Sequence, residues 1–174
     1  MHNWAMNSWE TDHRSIEQIE IPMPIDTMTT RNPQVVKDGL TRVLVIDDDQ
    51  AMTEMLRLVL EPNAFDVHEA HSGPEGIDAA RQLKPEVIVL DLLMPGMDGW
   101  EVCKEIRTFS QVPILVLSAI SKPGIIARAL DEGADDYLLK PMPSNVLIAH
   151  LKKLARRARA EQESGKSNLN FYSV

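Results

Sequence analysis

Two rhythms of apolar and polar positions alternate along most of this chain. Val43-Leu44-Val45-Ile46 is a short aliphatic run closed by Asp47-Asp48-Asp49. From Ala51 to Leu60, apolar residues recur at Met52, Met55, Leu56, Val59 and Leu60, the spacing of one helix face, and Pro62-Asn63 stops that helix. Phe65 to Ala70 alternates as a strand does. Ser72 with Glu75 makes a capping-box pattern for a helix through Leu83, which Lys84-Pro85 ends. Val87-Ile88-Val89-Leu90 reads as a strand buried on both faces, with Asp91 at its end. Next come a helix from Trp100 to Thr108, a buried strand from Pro113 to Leu117 ending in Ser118, and a helix over Gly124 to Glu132 closed by Gly133. Tyr137-Leu138-Leu139 is a short strand ending in Lys140-Pro141, and Ser144 caps a last helix with Leu147, Leu151 and Leu154 inward.

Strands and helices in strict alternation predict an α/β fold, a doubly wound five-stranded parallel sheet with helices on both faces. Right-handed crossovers leave few arrangements. The flavodoxin-like order 2-1-3-4-5 sets the first, third and fourth strands side by side. Ligands gather at the carboxyl ends of such strands, which here carry Asp47 and Asp48, then Asp91, Ser118 and Lys140. Crowded carboxylates repel one another, and a bound cation relieves them; an all-oxygen donor set suits Mg²⁺. With Lys140, such an ion would neutralise a phosphoryl group arriving at Asp91, whose carboxylate can act as a nucleophile and form an acyl phosphate. Ser118 offers a hydroxyl to a phosphoryl oxygen.

Composition narrows the picture in three ways. No apolar run approaches the ~18 residues of a membrane span, and no basic stretch followed by an apolar block marks a secretory leader. The single cysteine, Cys103, fits a reducing, cytoplasmic setting and reads as a packed thiol. The net charge of −8 is uneven: residues 41–150 carry 9 basic and 18 acidic side chains, residues 151–174 carry 6 and 2. So acidic a body is a poor direct binder of nucleic acid. Residues 1–40 show neither period and are broken by Pro22, Pro24 and Pro33; they read as a disordered extension.

Taken together and in order, these residues resemble a response-regulator receiver domain over about residues 41–160. The resemblance lies in Val45-Ile46-Asp47-Asp48-Asp49, Asp91 with Met94-Pro95-Gly96-Met97-Asp98-Gly99, Ser118-Ala119, Gly133-Ala134-Asp135-Asp136-Tyr137, and Lys140-Pro141. It implies that Asp91 accepts phosphate from a histidine kinase. It also implies that Asp47 and Asp48 hold Mg²⁺ with the Leu93 main-chain carbonyl, and that Lys140, before a cis Pro141, contacts the phosphoryl group. Ser118 would move toward the phosphate, with Tyr137 following as the switch aromatic. Asp49 reads as a solvated turn or a helix cap. A receiver fold that binds partners without phosphorylation is a further alternative. The rival from another class is a haloacid-dehalogenase-like phosphatase with Asp47 as nucleophile. Its motif order fails here, because Asp135-Asp136 precedes Lys140, and Asp91 is left unexplained.

The final strand and helix resemble the OmpR/PhoB winged-helix type, which dimerises through its fourth helix, fifth strand and fifth helix. That resemblance implies a homodimer in which Asp136 pairs with Arg157 and Asp135 faces His150 across the interface, a contact that weakens as the imidazole loses its proton. Ile126 and Val146 stand where the type has a lysine–glutamate pair, so the dimer face is expected to be more apolar. After Arg159 the chain is polar and reads as a linker over 161–174 whose last residues, Leu169 to Val174, look like the start of a strand. The chain therefore reads either as a receiver cut at the junction to a winged-helix effector or as a single-domain regulator with a short tail. DNA would be bound only through an effector domain absent from this sequence.

Overall fold

The computed structural model describes residues 39–169. The extension read over residues 1–40 falls almost wholly outside the described residues, as do residues 170–174. Within them the chain runs β1 (Thr41–Ile46), α1 (Gln50–Leu60), a 3₁₀ turn (Glu61–Asn63), β2 (Phe65–Ala70), α2 (Gly73–Leu83), β3 (Val87–Leu90), α3 (Gly99–Arg107), β4 (Ile114–Ser118), α4 (Pro123–Asp131), β5 (Asp136–Leu139) and α5 (Ser144–Leu169). The strands form one parallel sheet in the order β2-β1-β3-β4-β5. This is the flavodoxin-like arrangement that the strand–helix alternation predicts. Among the described residues, no helix is long and apolar enough to cross a membrane.

Strand alternation builds the two core layers. Val43, Val45, Val89, Leu115 and Leu117 face α1 and α5 and meet Leu56, Leu60, Leu147, Leu151 and Leu154. Leu44, Ile46, Ile88, Leu90 and Ile114 face the other way, onto Ile77 and Leu83 of α2 and Val102, Cys103 and Ile106 of α3. Each fully buried aliphatic side chain contributes roughly 1.5–3 kcal/mol, and from Val43 to Ile46 and Val87 to Leu90 the paired strands β1 and β3 carry no polar residue. Cys103 is buried as expected, and burial pushes its thiol pKa up. A smaller cluster of Leu92, Val116, Ala129 and Ala134 seats α4, with Trp100, Ile125 and Tyr137 against it.

Local signals set most element ends. Asp49 proves to be a helix cap: its carboxylate accepts the Ala51 and Met52 N–H groups. Ser72 caps α2, but the box is only half made, because Glu75 reaches past it to the His71 N–H at 2.7 Å. A complete box sits instead at α3, where Asp98 accepts the Glu101 N–H at 3.0 Å and Glu101 accepts the Asp98 N–H at 3.3 Å. Gly133, with φ +111°, closes α4 with its N–H on Leu130 and the Ala134 N–H on Ala129. The polar stretch after Arg159 reads as a linker, yet the backbone stays helical to Leu169. Ala160-Glu161-Gln162-Glu163 are good helix formers with no proline among them, and Arg157 pairs with Glu161 one turn on. Arg159 ties α5 to the sheet's other end through Glu86 (2.5 and 3.1 Å) and Thr41 Oγ1 (3.0 Å).

Truncating the centre of the sheet tests this core. Ile88→Ala is expected to cost about 2–5 kcal/mol, read as a lower urea midpoint with an unchanged denaturant slope.

Candidate phosphoryl-accepting site

The sheet ladder itself carries the site residues into place. One residue beyond β1, the Asp47 N–H donates to Ala70 O at 3.1 Å; one beyond β3, the Asp91 N–H donates to Ile46 O at 3.0 Å. The Lys140 N–H donates to Ser118 O at 2.9 Å. Parallel neighbours lie about 4.8 Å apart, so Lys140 reaches β3 and β1 only by passing over β4, where the fully buried Ser118 is small enough to let it cross. The Lys140–Pro141 peptide is cis.

Lys140 Nζ donates to Asp47 Oδ2 at 2.6 Å and to Asp91 Oδ2 at 2.9 Å. The other oxygens are held by main chain: Asp47 Oδ1 accepts the Asp49 N–H at 3.0 Å and Asp91 Oδ1 accepts the Leu93 N–H at 3.2 Å. Asp47 is 3% exposed and Asp91 8%, whereas Asp48 is open to solvent. Burial pushes the Asp47 carboxyl above its ordinary value, against the lowering effect of Lys140 and the Asp49 N–H. Burial acts on Lys140 in the opposite sense, but its bonds to the two carboxylates outweigh it and hold the ammonium above the usual lysine value.

Three carboxylates against one ammonium leave an excess of negative charge. Oxygens of Asp47, Asp48 and Asp91 all lie within 4.8 Å of one another. Hard oxygen donors at that separation, one of them open to water, fit a divalent cation that keeps part of its hydration shell. Leu93, whose main-chain carbonyl the resemblance assigns to the metal, has its side chain 56% exposed. Ser118 Oγ accepts the Ile120 N–H at 3.5 Å, and the Tyr137 hydroxyl donates to Ile120 O at 2.8 Å. Burial pushes the Tyr137 phenol up, opposed by the Ser118 hydroxyl. The five strand-end residues and Tyr137 are therefore brought together.

The residues assigned to a dimer face lie apart from that cluster, on α4, β5 and α5. Ile126 and Val146 are half-buried, with Leu130 (44% exposed) and Leu139 (40%) adding apolar surface. The expected charge pairs run between protomers; within the chain Asp135 and Asp136 each hold a different partner. Asp136 bonds His150 Nδ1 at 2.7 Å, with Lys153 at 3.8 Å. Asp135 bonds Arg157, Arg107 Nη2 (2.9 Å) and the Ile114 N–H (2.9 Å). The reason is position: Asp135 precedes β5 and turns back to the start of β4, leaving Asp136 to face α5. Arg107, which the sequence reading passes over as the end of a helix, also donates to the carbonyls of Ser110, Val112 and Gly133. No sequence signal marks it, but Asp98-x-x-Glu101 did spell the capping box.

A family profile described as the response regulator receiver domain matches residues 43–152. The chain is 41% identical over 131 residues to the response regulator MprA of Mycobacterium avium, covering 75% of this chain and 58% of that one. It is 40% identical over 116 residues to the DNA-binding response regulator MtrA of Mycolicibacterium paratuberculosis, covering 67% and 52%. The chain thus spans little more than half the length of these curated relatives. The solved receiver domain of the Francisella response regulator 1452 superposes with a TM-score of 0.65 at 32% identity, over 67% of this chain and 98% of that one. These relatives do not favour the phosphatase alternative with Asp47 as nucleophile.

The buried Asp47 charge has a measurable cost. Without metal, Asp47→Asn is expected to raise the urea midpoint at neutral pH. Because the folded-state pKa is raised, the cost is absent below the ordinary value of 3.8, grows with pH, and is constant above the folded value. Urea melts in chelator across that range check it; a variant no more stable than wild type at neutral pH refutes it.

Proposed function

The chain belongs to the response regulator receiver domain family, a signalling unit of two-component systems, and from that premise we propose that Asp91 accepts a phosphoryl group from a histidine kinase. The observation that carries the reading is Lys140 Nζ shared between Asp47 and Asp91, 2.6 and 2.9 Å away, at the mouth of an all-oxygen pocket. A carboxylate oxygen of Asp91 attacks the phosphorus of a phosphohistidine. The phosphorus–nitrogen bond breaks, the imidazole leaves with the electron pair and takes up a proton, and an acyl phosphate remains on Asp91. Lys140 holds one phosphoryl oxygen and the Ser118 hydroxyl donates to another. Asp47, Asp48, Asp91 and the Leu93 carbonyl are the proposed donors for Mg²⁺, which when bound supplies positive charge against the phosphoryl oxygens.

The same residues give the switch. Ser118 Oγ turns from the Ile120 N–H toward the phosphoryl group, and the loop through Ile120 carries Tyr137 with it, since the phenol is bonded to the Ile120 carbonyl. We assign the output to the face of α4, β5 and α5, acting through a cytoplasmic homodimer. DNA contact and transcriptional control belong to an effector domain of the OmpR/PhoB winged-helix kind outside this sequence. That the similar regulator MtrA is DNA-binding supports that reading.

Intact mass after treatment with acetyl phosphate and Mg²⁺ tests the proposal. One added phosphoryl group is expected, lost in Asp91→Asn and reduced but retained in Asp47→Asn; uptake that persists in Asp91→Asn overturns it. Leu93 and Ile120, each two residues beyond a site residue, have no polar atom in their side chains to orient an attacking water. The phosphoryl group is therefore expected to persist for minutes or longer in a decay series, and loss within seconds refutes this.

A further inference from the structure

The Asp91 carboxylate is held by hydrogen bonds, but its backbone is fixed by something else. On the amino side, the Asp91 N–H is tied into the sheet by Ile46 O at 3.0 Å. On the carboxyl side, Asp91 and Leu92 lie against the first turn of α3, where the Gly99 N–H donates to Leu92 O at 3.1 Å. There is no room between them. A Cβ on Gly99 would overlap the Asp91 carbonyl oxygen and lie 2.7 Å from the Leu92 Cα and 3.0 Å from the Asp91 carbonyl carbon. Every one of those atoms is backbone, so no side chain can swing aside to relieve the overlap.

The need at this position is for space, not for a special backbone conformation. Gly39, Gly96 and Gly133 are the described glycines with positive φ, and Gly99 is not among them. Alanine is the better helix former, so helix propensity alone would favour it here. The turn cannot easily lift away either. The Asp98–Glu101 box pins it from one end, and Gly73 of α2 approaches Met97 and Val102 closely enough that its own Cβ would lie 2.9 Å from them.

We propose that Gly99 is a positioning residue for the phosphoacceptor: its bare Cα lets α3 close on the Asp91 carbonyl, and that contact sets the direction of the Asp91 carboxylate. The inference rests on Asp91 being the acceptor. A shift of the Asp91–Leu92 peptide rotates the Leu93 N–H off Asp91 Oδ1, moves Oδ2 relative to Lys140, and displaces the Leu93 carbonyl. Chemistry and cation binding both suffer from one added methyl group that touches neither.

The full-length chain carrying Gly99→Ala tests this, with Gly124→Ala as a control in the first turn of α4, where a Cβ would meet nothing within 4 Å. Misplacement on the order of 1 Å can cost about a hundredfold in rate. Gly99→Ala is therefore expected to weaken Mg²⁺ binding in titration calorimetry and to slow phosphorylation by acetyl phosphate, each by about tenfold or more. Its amide NMR shifts should change at Asp91 to Leu93 while those of β2 stay put, a pattern that general loosening does not give. Gly124→Ala should match wild type in all three. A folded Gly99→Ala with wild-type affinity, rate and shifts overturns the inference. Should that variant not fold, Asp98→Ala, which frees the turn without adding an atom at Gly99, must move the same readouts in the same direction, and unchanged values overturn it. A wild-type chain that binds Mg²⁺ but takes up no phosphoryl group counts against the proposed function alone, and the amide shifts then decide the positioning.

Discussion

One lysine held between two buried carboxylates is the constraint on which the rest of the structure turns. Burying Asp47 and Asp91 at neighbouring strand ends is costly unless an opposite charge is close and correctly aimed. That charge comes from Lys140, 93 residues away from Asp47 in sequence and on the far edge of the sheet from β1 and β3. The strand order, the register of β4 with β5, and a small residue at Ser118 are all required before the ammonium can arrive. Even then the compensation is partial, since Asp47 stays disfavoured as an anion. The pocket is thus left with a standing appetite for more positive charge, which is the property a phosphoryl-accepting site needs.

The same economy of contacts links the pocket to the remote face. Ser118 and Tyr137 meet on the two backbone polar groups of a single residue, Ile120. Below that loop α4 is lightly seated, with Ala129 its one buried residue. Its far end is held firmly: Gly133 and Asp135 are gripped by Arg107, and Asp135 also by Arg157. On that face Asp135, Asp136, His150 and Arg157 pair within the chain, while Ile126, Leu130, Leu139 and Val146 keep apolar surface in contact with solvent.

Much of this was legible in the residues themselves. Four-residue, β-branched aliphatic runs bounded by turn residues read as buried strands, and a polar residue directly after such a run falls at a strand end. Asp47, Asp91, Ser118 and Lys140 could be placed before any coordinates. Helix ends were equally local, as Asp49 at the start of α1 and Gly133 after α4 show. What the residues did not reveal is which partner each of two adjacent charged residues holds within the chain. Asp135 and Asp136 differ by one position, and the turn before β5 decides their sides. Likewise Glu75 looked committed to Ser72 but bonds the His71 N–H instead, and the polar stretch after Arg159 lacked a core-facing stripe yet stays helical, with good helix formers and the one-turn Arg157–Glu161 ion pair.

The sequence by itself determined the alternation of strands and helices, and with it the fold and the set of side chains at the top of the sheet, because hydrophobic period and strand ends are properties of neighbours along the chain. Only the tertiary structure decided how close those groups come. Lys140 crossing over Ser118, a half-buried Arg107 bonded to the α4–β5 turn, and the α3 backbone resting on Asp91 at Gly99 all arise from packing rather than from any period along the chain. Distances of that kind are set by packing, and no period along the chain encodes them.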